Sequence, residues 1–229
     1  MQHSLVHSRV AAAPVPEVVA MTWLTMSASF FVLKRVGIFN RKQVAWLISG
    51  MNALVMVVGS IPFMCELWRQ GGSVRWAREE STLSRGLAAF FFANLSLDLM
   101  LGFAYYASYL EVLTTILHHP VYMCMLVYAL HKGYTTYFCI MLPMELPTLV
   151  LSVRILEPRL RNDAVHGIVF FATRILYHIY MIATWALQAE SPTHLILAAL
   201  FPFHVFCFHH FLKRQKSRYA RLPKPPARE

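Results

Sequence analysis

Stretches of about 20 uncharged, mostly apolar residues recur along the chain, and no other feature constrains its fold as tightly. A helix of that length crosses the hydrocarbon core of a bilayer and satisfies its own backbone hydrogen bonds on the way. Roughly seven such stretches can be read, at 17–33, 44–64, 84–105, 110–130, 134–153, 165–187 and 194–212. They are separated by Lys34-Arg35, Gln70-Gly71-Gly72, Lys132-Gly133, Glu157-Pro158 and Ser191-Pro192, the kinds of residue that punctuate helices. The expected fold class is all-α: a polytopic membrane bundle or barrel of about seven transmembrane helices, or six if the short first stretch lies in the interface.

Composition agrees with this. The 229 residues are 57% hydrophobic and 14% charged, whereas soluble domains carry ~25% charged residues. Lipid removes the need for a charged exterior, so a small soluble domain is disfavoured. Disorder and nucleic-acid binding are disfavoured too, because the basic residues behind the net charge of +10 stand in short clusters between apolar stretches. The expected organisation is a short tail at 1–16, a transmembrane region at 17–212 and a basic tail at 213–229. Residues 1–16 do not have the pattern of a secretory signal. Cys65, Cys124, Cys139 and Cys207 are widely spaced and read as buried small hydrophobes rather than disulfide partners or zinc ligands.

Charge asymmetry between the loops predicts orientation. One side receives Lys34, Arg35, Arg41, Lys42, Arg154, Arg159, Arg161 and the basic residues from Lys213 onward, about 14 in all, against about 5 on the other. The C-terminus is therefore expected in the cytoplasm. No internal repeat is evident, so the sequence lends no support to an inverted-repeat transporter.

Ionisable groups inside an apolar span are costly, which makes each one a candidate functional residue. At 100° per residue, Glu111, Thr115, His118 and Tyr122 fall near one line of the fourth span, flanked by Thr114 and His119. Asn94, Asp98 and Tyr105 form a comparable stripe on the third span, with Gly102 near its edge. Arg174, His178, Met181 and Trp185 line up on the sixth. Glu145 lies between Pro143 and Pro147, where a kink can free backbone carbonyls. The expectation is that Asp98, His118, His119, Glu145, Arg174 and His178 gather in the interior. The plainer alternative is that they pair with one another and only fix helix packing. A membrane di-iron centre is disfavoured, since His118 and His119, His204, and His209-His210 fall at different depths. No metal ligand set is assigned.

Three segments in order carry a resemblance: Asp98-Leu99-Met100-Leu101-Gly102, then the Leu-rich approach from Tyr109 to His118-His119, then Glu145-Leu146-Pro147-Thr148 leading to Arg154. Together with the Phe-rich, Arg-containing run from Phe170 to Tyr177, they resemble the TLC domain family over about 35–212. The likeness is to the small TLC domain-containing proteins in particular, which are distantly related to ceramide synthases. The resemblance implies an endomembrane protein, of the endoplasmic reticulum or a related compartment, acting in lipid homeostasis around a lipid-accessible cavity. Ceramide synthases continue the paired His through a His-Asp pair and a further Asp; this chain has Met144-Glu145 there and lacks the further Asp.

Two functions are therefore expected in order. In the first, a membrane lipid binds in a polar cavity lined by Asn94, Asp98, Tyr105, Glu111, Thr115, His118, His119, Tyr122, Glu145, Arg154, Arg174 and His178. There the arginines would take anionic oxygen, and His118, His119 and Glu145 a hydroxyl or amine. In the alternative, the chain is a lipid N-acyltransferase with acyl-CoA as co-substrate. His118 or His119 would then be the base or nucleophile, oriented by Asp98 or Glu145. No resident cofactor is called for, and no protein partner is specified.

Overall fold

The computed structural model describes residues 15–188 and 193–219, and every regular element among them is helical. Seven helices are long and apolar enough to cross a membrane, which makes this an all-α integral membrane protein. They are α1 (Val15–Val36), α2 (Arg41–Arg69), α3 (Thr82–Tyr105), α4 (Val112–Lys132), α5 (Thr135–Leu156), α6 (Asp163–Gln188) and α7 (Thr193–Tyr219). The first stretch, short by sequence, forms a 22-residue helix of full spanning length. Most of the expected N-terminal tail, the Ser191-Pro192 punctuation and the end of the basic tail lie outside the described residues.

Local signals explain the helix ends. Asn40 and Gln43 form a reciprocal capping box that starts α2, and Ser81 and Ser84 form one that starts α3. Helix α2 stops where Gly71 and Gly72 adopt positive φ, and α4 stops at Gly133 in the left-handed region. In α5 the two prolines do not break the span. They sit in the first turns of two successive helical pieces, with a 3-10 turn at Leu142–Glu145 between them, where a missing N–H costs little.

The chain divides into two compact units, residues 1–161 and 162–229. In the first, α3 packs against α1, α2, α4 and α5, and α2 also packs along α5. An apolar cluster of Met26, Phe30, Val44, Leu47, Ile48, Leu97, Leu101 and Tyr106 joins α1, α2 and α3 at one end. Small residues set the helix spacing, as expected where lipid offers no hydrophobic drive for association. A Cβ on Gly59 would lie 2.7 Å from Leu87 of α3, and one on Gly102 would lie 2.7 Å from Leu110. In the second unit, α6 packs along α7.

Two segments are wound more widely than an α-helix, one in each unit. Val112–Leu117 at the start of α4 and Phe171–Leu176 within α6 are π-helical. Such turns take up an extra residue and often occur at functional sites.

The cysteines differ in part from expectation. Cys139 is buried, but Cys65 and Cys124 are exposed; all four are free thiols. An apolar helix face meeting lipid has no reason to exclude a thiol.

Candidate functional site

In the first unit, three polar side chains converge on Asp98. It lies seven residues before the end of α3, about 10 Å along the helix at 1.5 Å per residue, and is 5% exposed. The Tyr106 hydroxyl donates to its Oδ1 at 2.5 Å, the Nε2 of His119 lies 3.1 Å from its Oδ2, and the Ser49 hydroxyl approaches the same oxygen at 3.4 Å. Partners from α2, the α3–α4 connection and α4 thus surround one carboxylate. Burial, then the neighbouring Asp98 charge and the hydrogen bond to it, push the Tyr106 hydroxyl well above its ordinary pKa, so it remains a donor.

A carboxylate accepts here, so His119 donates its Nε2–H, and in the neutral ring Nδ1 keeps its lone pair. That nitrogen is buried and has no hydrogen-bond partner among the described residues. An oriented imidazole with an unused basic nitrogen is able to take a proton or accept a hydrogen bond from a bound molecule.

The structure redistributes the roles within the expected set. His119, which only flanked the fourth-span line, reaches Asp98, while the ring of His118 lies against Tyr122 at 4.1 Å. The His118–Tyr122 spacing survives because both residues follow the π turn. Glu111 precedes it, and a 100° projection fails across residues wound at a wider pitch. Glu111 is exposed and accepts from Thr114 at 3.1 Å, while Thr115 is half-buried within the π turn.

Tyr105 is likewise displaced from the inward stripe. It is 47% exposed, against Phe31 and beneath the Lys34 ammonium at 3.9 Å. Its neighbour Tyr106 takes the inward place, because α3 ends at Tyr105 and the backbone of Tyr106 turns out of helical geometry. Asn94 is 1% exposed, one turn before Asp98. Glu145, on the 3-10 turn of α5, and Arg154, in the last turn of that helix, are both half-buried.

Arg174 and His178 belong to the second unit. His178 is buried with Met181 and Trp185, as their common face predicts, and Arg174 is half-buried in the π turn, its guanidinium 5.5 Å from the Phe170 ring centroid. His178 Nε2 lies 3.1 Å from the Leu197 carbonyl, and its Nδ1 lies 2.9 Å from Nδ1 of His204. The carbonyl fixes the proton on His178 Nε2, so His204 is the donor within the pair.

Sequence reasoning missed four residues. Ser49 and Asn52 are a polar pair three residues apart in an otherwise apolar span, a signal that was available. Tyr106 is hidden by helical projection, which selects Tyr105. His204 is the partner of His178; the two share a further signature, because both π turns end in Ile-Leu and a buried His follows two residues later, at His119 and at His178.

Other buried carboxylates have plainer roles. Glu66 accepts from Gln70 at 2.7 Å and pairs with Arg69 at 3.2 Å; Glu80 accepts from the backbone and hydroxyl of Thr135 and pairs with Arg85 at 2.7 Å. These tie helix ends together. Among the described residues, no group of three or more His, Cys, Asp and Glu side chains is placed to hold a metal ion.

No family model, curated protein or solved structure matches this chain.

Proposed function

We propose that this is a multi-pass endomembrane protein of lipid homeostasis, of the TLC-domain type, which binds or moves a membrane lipid at a polar site inside its first unit. The observation that carries the reading is the Asp98–His119 pair. A buried carboxylate and a largely buried imidazole stand within apolar spans, with one buried imidazole nitrogen that has no partner among the described residues. Packing alone is achieved more cheaply with small residues and hydroxyls, so ionisable groups at this depth point to a polar guest. The compartment is the endoplasmic reticulum or a related membrane, with the C-terminus in the cytoplasm, in keeping with the loop charges.

The test is lipid retention. Wild-type protein purified in mild detergent is expected to carry a copurified lipid, identifiable by mass spectrometry, that His119→Ala loses and His118→Ala largely keeps. Full retention by His119→Ala overturns the reading.

One observation favours a second reading, an acyl-CoA-dependent lipid acyltransferase. Asp98 orients His119 as the third group of a catalytic triad orients its base, leaving Nδ1 to accept a proton from a lipid amine or hydroxyl. Long-chain acyl transfer from acyl-CoA that disappears in His119→Ala would establish it. Its absence, with lipid still bound, leaves binding as the function.

A further inference from the structure

Asn52 of α2 and Asn94 of α3 are 5% and 1% exposed, yet Asn52 Oδ1 and Asn94 Nδ2 have no hydrogen-bond partner among the described residues. The neighbouring positions of both helices are mostly apolar, and an unmatched amide in such surroundings is destabilising. Contacts elsewhere along the seam locate the two residues relative to each other. Ser49 touches Asp98, and Gly59 abuts Leu87, so residue numbers rise on α2 as they fall on α3. Asn52 is three residues on from Ser49, and Asn94 four residues back from Asp98. Each therefore lies on the same helix face as the touching pair, one turn further along, and the two amides meet at one level. That level is the middle of α3.

A polar track thus leads from Asp98 and His119 to the centre of the span, with three unmatched atoms: an acceptor at Asn52 Oδ1, a donor at Asn94 Nδ2 and an acceptor at His119 Nδ1. Resting on the lipid-binding reading above, we infer that the track receives an uncharged lipid alcohol, whose hydroxyl donates to Asn52 Oδ1 and accepts from Asn94 Nδ2. A hydroxyl is the smallest group that does both. A second hydroxyl or N–H on the same head group satisfies His119. A phosphate is a poor fit: the residues that make the track, Ser49, Asn52, Asn94, Asp98 and His119, include a carboxylate and neither Lys nor Arg, and an anion at mid-span would face Asp98 without a counter-charge.

The full-length protein, reconstituted in phosphatidylcholine vesicles, is exposed to two photoactivatable probes with the same diazirine acyl chain, a monoacylglycerol and a lysophosphatidate. Labelled peptides are then located by mass spectrometry. The monoacylglycerol is expected to label 41–69 and 82–105 at least tenfold more than the lysophosphatidate and to be displaced by unlabelled monoacylglycerol. Asn52→Leu and Asn94→Leu, checked for an unchanged thermal midpoint, are expected to lose that labelling, and Asn94→Gln to keep part of it. The comparison on wild type needs no variant and stands if the leucine substitutions fail to fold. Equal labelling by both probes overturns the uncharged class and leaves lipid binding intact. Absence of labelling at α2 and α3 while a copurified lipid persists means that the amides hold each other or water, and overturns the inference alone. Absence of both labelling and copurified lipid overturns the parent reading as well.

Discussion

The hydroxyl of Tyr106 and the imidazole of His119 hold the two oxygens of one carboxylate, so their removal has separable effects. Tyr106→Phe deletes a hydrogen bond to a charged acceptor and is expected to destabilise the protein by about 1.5–3 kcal/mol, read as a lower thermal midpoint, with the helix content unchanged. Because burial and Asp98 raise the pKa of Tyr106, its hydroxyl stays protonated in the folded protein through the ordinary tyrosine range near pH 10. The sign follows from the raised value: its contribution is complete below that range and fades only as pH climbs beyond it. Wild type and Tyr106→Phe should therefore show the same tyrosinate absorbance at about pH 10 while folded, whereas a larger signal from wild type would show Tyr106 ionising normally. Asp98 and His119 were legible in the sequence as rare ionisable groups in apolar surroundings. Tyr106 was not, because a single non-helical backbone step at the end of α3 places it where an ideal helix would put Tyr105.

Spans were legible to within a few residues at most of their ends, since length and hydropathy are set by the bilayer and some boundaries carry their own capping residues, whereas α2 and α7 run five and seven residues beyond the expected ends. The internal winding of α4 and α6 was not, because an apolar run gives no local hint that one turn holds an extra residue. This winding decides which histidine faces α3. Deleting one residue from the π turn Val112–Leu117, Leu113 for instance, returns the segment toward α winding and shifts the register between the α3–α4 connection and His119 by one residue. Helix content by circular dichroism should hold while lipid retention falls to that of His119→Ala. The α2–α3 contact makes an equally direct prediction. Gly59→Val places side-chain atoms where Leu87 now lies and is expected to cost about 1–3 kcal/mol, recovered in part by Leu87→Ala. Destabilisation that Leu87→Ala leaves untouched would mean that the two positions do not meet.

At the scale of the whole molecule, an odd number of crossings is expected to leave the two ends of the helical region on opposite sides of the membrane. With the basic loops inside, a glycosylation acceptor inserted in 70–75 should be modified in microsomes and one inserted in 157–162 should not. The reverse pattern would invert the orientation. The order in which the chain is made adds a consequence of its own. Asp98 leaves the ribosome before Tyr106 and His119 do, so of its three side-chain partners only Ser49, on the preceding helix, can be waiting in the bilayer. A lone aspartate within a span resists insertion, by up to about 2.5–3.5 kcal/mol where it lies at the centre. Helix α3 has 61% of its apolar window buried by neighbouring helices in the finished unit. During synthesis it has α1 and α2 but lacks α4 and α5, so it depends on its two elder neighbours, and on apolar residues such as Leu95, Leu97 and Leu101, to stay in the membrane until α4 arrives.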